Sequence, residues 1–211
     1  VEEITNDMIC CSIQSNEETL KKFPYDCKLR PRDELLGKSV KVTYEVENTG
    51  AKDMPFFVGG HPGFNCPLLA GEDYSDYYVE FEKEETCAVP TPITETGLID
   101  VENRTNCLDH TKTFALKHEL FHKDAIIFDE LKSRKIKLLS KKSSVGVELD
   151  FADFPYLILW SSANDGPFVA IEPWVGLSTC NDESDVFEEK RNVQVVTPGK
   201  KKDYTFTITI L

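Results

Sequence analysis

Regular alternation of apolar and polar side chains is the feature that most constrains the fold of this chain. Within residues 203–210 every second side chain is apolar, namely Tyr204, Phe206, Ile208 and Ile210. In an extended strand these side chains share one face. A strand of this kind buries its apolar face, so we expect 203–210 to close a core sheet.

Similar short patterns recur between turns rich in Gly, Pro, Asn and Asp. They predict strands at 8–14, 40–48, 54–60, 77–82, 113–118, 125–128, 135–139, 145–149, 156–161, 167–173, 192–196 and 203–210. Residues 182–191 predict the one short helical turn. Many short strands without intervening amphipathic helices indicate an all-β sandwich or barrel and not a wound α/β sheet.

The length of 211 residues suits one domain, and no repeat, linker or low-complexity segment divides residues 1–211. The final alternating strand is typical of a natural C-terminus. The first residue is Val1 and a strand pattern begins within the first ten residues. We therefore expect the chain to be the later part of a longer domain, without its N-terminal strands.

Charge and cysteine content narrow the classes of partner and location. Lys and Arg number 24 against 37 Asp and Glu, for a formal net charge of -13, which disfavours nucleic acid and anionic membrane surfaces as partners. No apolar run is long enough to cross a bilayer. The seven cysteines show no paired metal-ligand spacing and no secretory segment precedes them, so we expect reduced thiols in a cytoplasmic protein.

Glu172 is the residue that most strongly suggests chemistry. It lies in the segment Phe168-Val-Ala-Ile-Glu-Pro-Trp-Val-Gly176, which is otherwise apolar, and a carboxylate there needs a reason. Two structural interpretations stay open: an outward-facing side chain, or a buried carboxylate held by backbone donors. The functional interpretation is a base whose pKa is set by its surroundings. Pro173 predicts that regular strand pairing stops there, at the edge of a cleft.

His61 is the candidate partner for Glu172. It follows Gly59 and Gly60, which permit a tight loop and close approach of the backbone. A histidine in such a loop can face a pocket, although a structural role is the commoner one for a single loop histidine.

Other residues carry weaker signals. Asp124 opens an apolar strand and could be a simple turn residue. Trp160 and Trp174 could pack in the core or stack on a sugar ring. His118 and His122 are four residues apart in a stretch that we interpret as strand and turn, which disfavours ligation of a metal from one helix face. The sequence implies no metal and no cofactor.

Three segments in this order resemble the aldose 1-epimerase (galactose mutarotase) superfamily, and in particular its LacX-like branch. They are Gly59-Gly-His-Pro-Gly-Phe-Asn-Cys-Pro67, Lys123-Asp-Ala-Ile-Ile-Phe128 and the segment around Glu172. The resemblance runs along essentially the whole chain and corresponds to the later part of the family's length. It implies a large antiparallel β-sandwich that interconverts the α and β anomers of free aldoses of the galactose or glucose class.

The resemblance also implies roles for individual residues. His61 matches the family's general acid, Glu172 its general base, and Asp124 an acidic sugar-binding position. We further expect Asn65, Trp160 and Trp174 to contact the sugar. The family's additional sugar-binding His or Arg lies upstream and has no counterpart in this chain. Acid–base ring opening and reclosure needs neither metal nor cofactor.

Two alternative functions stay open at this point. One is a non-catalytic carbohydrate-binding or sensing domain of the same fold. The other is a hexose-6-phosphate 1-epimerase, which would need a cationic clamp for the phosphate. The five arginines do not cluster along the sequence and the net charge of -13 opposes an anionic substrate, so the phosphate alternative ranks third. The oligomeric state cannot be inferred from the sequence.

Overall fold

The computed structural model covers residues 1–211 and consists mainly of β-strands. The strands are β1 (Glu3–Ile4), β2 (Met8–Cys10), β3 (Ile13–Gln14), β4 (Cys27–Leu36), β5 (Ser39–Asn48), β6 (Met54–Phe56), β7 (Gly63–Asn65), β8 (Tyr77–Ile93), β9 (Leu98–Ala115), β10 (Ile126–Phe128), β11 (Lys135–Ser140), β12 (Gly146–Asp150), β13 (Tyr156–Trp160), β14 (Phe168–Trp174), β15 (Gln194–Val196) and β16 (Lys201–Ile210). Single turns of 3-10 helix occupy Thr19–Lys21, Tyr74–Asp76, His118–Phe121 and Phe187–Glu189. None of these turns is long and apolar enough to cross a membrane.

The strands form three antiparallel sheets. The large sheet has ten strands in the order β1-β2-β4-β5-β16-β12-β11-β8-β9, with β3 also paired to β4. The small sheet has four strands in the order β10-β13-β14-β7, and β15 pairs with β6 in a two-stranded sheet. The predicted all-β sandwich is therefore confirmed.

One apolar core joins the large and small sheets. Val79, Leu138 and Phe206 enter it from the large sheet, and Leu157 and Ile171 enter it from the small sheet, each no more than 2% exposed. The strand predicted at 203–210 is β16, which lies between β5 and β12 within the large sheet. Tyr204 and Phe206 enter the core and Ile208 packs against it, as the alternation predicts, whereas Ile210 at the end of the strand is 60% exposed.

Several predicted boundaries were wrong. The strand predicted at 8–14 is interrupted between β2 and β3, and the one predicted at 54–60 ends at Phe56. The predicted helical turn at 182–191 contains only the 3-10 turn Phe187–Glu189. The strand predicted at 113–118 is the end of the much longer β9. No strand was predicted for β4 or β7, because β4 is charged and β7 is very short.

The long hairpin of β8 and β9 reaches beyond the large sheet to the outer face of the small sheet. Ile99 of β9 packs there in a second apolar cluster with Ile127, Ile158 and Cys180. Its backbone N–H donates to the Thr179 carbonyl over 3.0 Å. The hairpin thereby fixes the segment after β14, which forms one wall of the cleft described below.

All seven cysteines are free thiols in the structure. Burial raises the pKa of Cys66 and of Cys107 to about 12, so these thiols stay protonated and behave as small apolar side chains. The cytoplasmic location stays a prediction.

Candidate active site

The outer face of the small sheet carries the candidate catalytic carboxylate. In the antiparallel register Glu172 lies opposite Ile158, and Ile158 lies opposite Ile127. Directly opposed residues share a face of the sheet. Trp160 and Trp174 have the same parity as Ile158 and Glu172 along their strands, so both indoles belong to this outer face. Ile171 and Pro173 point the other way.

The loop that carries His61 is fastened to β14 on both sides of Glu172. The Gly60 N–H donates to the Pro173 carbonyl over 2.9 Å, and the Ile171 N–H donates to the Pro62 carbonyl over 3.0 Å. These two bonds bracket His61 on the loop and Glu172 on the strand. The backbone therefore brings together two residues that are far apart in sequence.

The side chains of His61 and Glu172 meet directly. The Nε2 atom of His61 lies 3.2 Å from Oε1 of Glu172, and the two side chains are 62% and 2% exposed. No backbone donor contacts the carboxylate, so His61 is its polar partner. Burial raises the pKa of Glu172 to about 7, and the His61 imidazole opposes that rise.

An open cleft of about 420 Å³ adjoins this pair. Its lining residues are Phe57, Val58, Gly59, His61, Trp174, Gly176, Leu177 and Ser178. The Trp160 ring stands edge-on to that of His61, with 6.1 Å between their centroids, and the Phe168 ring lies 5.5 Å from that of Trp160. The exposed imidazole therefore lies beside aromatic side chains, an arrangement suited to a sugar ring.

The remaining predicted site residues, Asn65 and Asp124, do not contact this pair. Asn65 is exposed on β7, opposite Phe168 and on the outer face. Asp124 lies two residues before β10, is half-buried, and accepts a 2.7 Å hydrogen bond from the Ala125 N–H. No hydrogen bond or ion pair joins Asp124 to His61 or Glu172.

The local prediction from Pro173 was wrong. Strand β14 continues to Trp174, and Pro173 pairs in register with Leu157. In a strand the N–H and the carbonyl of one residue point to the same side, and the Pro173 carbonyl points to the His61 loop, where it accepts from the Gly60 N–H. The N–H that proline lacks would also point to the loop, so no hydrogen bond with β13 is lost.

Sequence reasoning missed the cleft residues Phe57, Leu177 and Ser178. Phe57 follows the end of β6, and Leu177 and Ser178 belong to the irregular segment after β14. These residues have no periodic pattern. They reach the cleft only because the β8–β9 hairpin and the His61 loop fold over β14. No sequence signal marked them.

The other three histidines lie away from the pair. His118 stacks on Tyr74 with centroids 3.8 Å apart, and His122 Nε2 lies 2.8 Å from Asp165. His110 contacts Glu84 on the exposed part of the hairpin. None of them shares a contact with His61 or Glu172.

The fold is that of the galactose mutarotase-like β-sandwiches. A galactose mutarotase related enzyme from Lactobacillus acidophilus superposes with a TM-score of 0.91 at 30% identity, over 100% of this chain and 70% of that protein. A galactose mutarotase-like protein from Lactobacillus casei gives a TM-score of 0.87 at 26% identity, over 100% of this chain and 72% of that protein.

Sequence comparison gives the family. The model of the aldose 1-epimerase family matches residues 1–202. The chromosomal protein LacX of Lactococcus lactis subsp. lactis is 44% identical over 212 residues, which cover 100% of this chain and 71% of the relative. The plasmid-borne LacX protein of the same organism matches with the same identity and coverage. The chain therefore belongs to the aldose 1-epimerase family.

Proposed function

We propose that this protein interconverts the α and β anomers of a free aldose, with Glu172 as general base and His61 as general acid. The observation that carries the proposal is the contact between the buried Glu172 carboxylate and the exposed His61 imidazole, 3.2 Å apart beside an open cleft. Membership of the aldose 1-epimerase family supports a small sugar as substrate. The preferred aldose belongs to the galactose or glucose class.

The chemistry needs one acid and one base that converge on a single carbon. Mutarotation removes the proton of the anomeric hydroxyl and delivers a proton to the ring oxygen, and both oxygens are bonded to C1. The ring opens to the aldehyde, C1 rotates about its bond to C2, and the ring closes on either face. Two groups already in contact can address both oxygens, and they exchange roles on reclosure so that the site is restored.

The environment of Glu172 matches the demand on a base near neutral pH. A carboxylate with an ordinary pKa is ionised at pH 7 but is a weak base. Burial raises the pKa of Glu172 to about 7, which brings its basicity close to the optimum for proton transfer at that pH. The proposed acid, His61, is accessible to solvent.

Substrate contacts are assigned to Trp160 and Asn65 on the outer face of the small sheet and to Asp124, which precedes β10. Trp160 presents an aromatic surface next to His61, and we propose that it stacks on the apolar face of the sugar. Asn65 and Asp124 are proposed to bind sugar hydroxyls, which carboxylate and amide groups recognise through hydrogen bonds.

A phosphorylated hexose is the less suitable substrate. Arg104 is held by Asp129, Arg191 by Asp182 and Glu183, and Arg30 by Glu45 and Glu47. Arg32 pairs with Glu34, and Arg134 donates to the carbonyls of Leu131 and Ser133. No arginine lines the cleft, so the cationic clamp for a phosphate is missing from it.

The test is the change in optical rotation of freshly dissolved α-galactose and α-glucose. We expect the first-order rate constant to rise in proportion to protein concentration, above the rate with bovine albumin at equal buffer strength. An unchanged rate together with sugar binding in saturation-transfer NMR would contradict the proposal and indicate a non-catalytic sugar-binding protein. Faster exchange with glucose 6-phosphate alone would contradict the choice of a free aldose.

A further inference from the structure

We propose that Trp174 is a positioning residue, which holds the His61 loop in place beside Glu172 instead of serving as a platform for the sugar. Only the activity part of its test rests on the proposed function. The structural part concerns the geometry of the His61–Glu172 pair alone.

The polar group of Trp174 is already used within the protein. Its indole Nε1–H donates to the carbonyl of Gly60 over 3.2 Å. Gly60 immediately precedes His61, so this bond ties the side chain of β14 to the residue that sets the direction of the His61 backbone. Trp174 is half-buried, and moving the Gly60 carbonyl away would leave its indole N–H without this acceptor, at a cost in free energy.

The ring of Trp174 also packs closely on the loop. A Cβ atom added to Gly59 would lie 2.5 Å from Cδ1 and 2.9 Å from Cγ of Trp174. No real Cβ fits at that distance, so the absence of a side chain at residue 59 is what lets the loop approach the indole. Gly59 and Trp174 also form an antiparallel β-bridge.

The loop needs such a constraint because two glycines precede His61. Glycine has more backbone freedom than any other residue, and two in succession could direct the imidazole away from the carboxylate. The Trp174 ring limits Gly59, and its N–H limits Gly60. Trp174 is two residues from Glu172 on the same strand. Its contacts with Gly59 and Gly60 therefore fix His61 relative to Glu172 itself and not merely relative to the sheet.

Although Trp174 is one of the residues that line the cleft, its remaining surroundings disfavour its use as a sugar platform. It packs against the apolar cluster of Ile99, Ile127, Ile158 and Cys180, and the pyrrole part of its ring faces Gly59. Trp160 differs, because no protein acceptor binds its indole N–H. The two tryptophans therefore have separate roles, Trp174 for geometry and Trp160 for binding.

The main variant is Trp174→Phe, which keeps an apolar ring and removes the N–H donor. We expect the exchange rate at saturating sugar to fall about tenfold while the dissociation constant of the sugar changes less than about twofold, because a displaced acid loses rate and not affinity. Weaker binding with an unchanged saturated rate would overturn the proposal, since that is the result expected of a sugar platform.

A structural readout keeps the proposal testable without activity. The Cε1–H resonance of His61, assigned by its loss in His61→Asn, should shift when Glu172→Gln is introduced into the wild type. When Glu172→Gln is introduced into Trp174→Phe, the His61 resonance should shift less than about half as far, because His61 and Glu172 are no longer held in contact. A full response in Trp174→Phe would overturn the proposal even if the wild type shows no mutarotase activity.

A second pair of variants guards against misfolding of Trp174→Phe. Gly59→Ala places a methyl group against the indole and should also uncouple the His61 resonance from Glu172. Gly63→Ala lies in the same loop region with nothing within 4 Å of the added methyl group, so its His61 response should match the wild type. Equal shifts of the His61 resonance in the two alanine variants would contradict the proposed positioning role of Trp174.

Discussion

His61 and Glu172 are in direct contact, with 3.2 Å between Nε2 and Oε1, although their side chains are 62% and 2% exposed. The contact joins a solvent-exposed imidazole to a carboxylate that the protein keeps away from water. In the proposed mechanism the buried carboxylate is the base and the exposed imidazole is the acid.

The rate of sugar turnover should depend on pH through Glu172. Since burial raises its pKa to about 7, kcat/KM should fall about tenfold per pH unit well below pH 7, as the base becomes protonated. The apparent midpoint belongs to the His61–Glu172 pair as a whole. Polarimetry from pH 5 to pH 9 measures it, and an acidic limb centred near pH 4.5 would show that burial does not tune the base.

Removal of the imidazole should slow the reaction strongly and should lower stability only where Glu172 is ionised. His61→Asn deletes the acid, so we expect exchange to slow about a hundred- to ten-thousand-fold. His61 is the polar partner of the buried Glu172 carboxylate, so its loss should lower the free energy of unfolding by about 1–3 kcal/mol above pH 7 and by less at pH 5, where Glu172 is protonated. The His61 imidazole lowers the pKa of Glu172, so the acidic limb of any residual activity should move to higher pH.

Glu172→Gln should stabilise the protein at alkaline pH. The folded pKa of Glu172, about 7, lies above its ordinary value of 4.5, so the stability linked to its proton is fully present below the ordinary pKa and is lost as the pH rises through about 7. At pH 8 the wild type carries a buried charge that the variant lacks. Urea unfolding should show the variant more stable by about 1–3 kcal/mol at pH 8, with a smaller difference at pH 5.

A second buried glutamate provides the contrast for that measurement. Glu85 is 1% exposed, and its carboxylate accepts hydrogen bonds from the N–H and hydroxyl groups of Ser133 and the N–H of Lys132. Glu85→Gln turns an amide donor toward one of these donors, so it should destabilise the fold by about 1–3 kcal/mol. If both Gln variants changed the free energy of unfolding in the same direction at pH 8, the proposed functional tuning of Glu172 would lose its support.

The sequence predicted the parts of the fold that follow from local pattern. β16 and β14 were placed within one or two residues, since regular alternation and a short apolar run are direct consequences of burial on one or both faces. β4 was missed because it is charged: Arg30 in its centre pairs with Glu45 and Glu47 of the neighbouring β5. Such pairing depends on the register between strands, which a single segment does not reveal.

The sequence indicated which residues belong to the candidate site, but it did not indicate how they are arranged in space. His61 and Glu172 stood out because each is unusual in its own segment, and their juxtaposition was expected only through the resemblance to a family. What brings them together is a set of backbone bonds from the loop to β14, at Gly60 and Pro62. Neither these bonds nor the contacts of Trp174 with Gly59 and Gly60 leave a periodic signal in the sequence.

The most direct test of the central claim is NMR exchange spectroscopy of the anomeric protons of galactose and glucose at equilibrium, with wild type and Glu172→Gln at equal concentration. We predict that the wild type accelerates exchange between the α and β resonances and that the folded variant does not, while both bind the sugar. Undiminished exchange in the folded variant would contradict the assignment of Glu172 as the base.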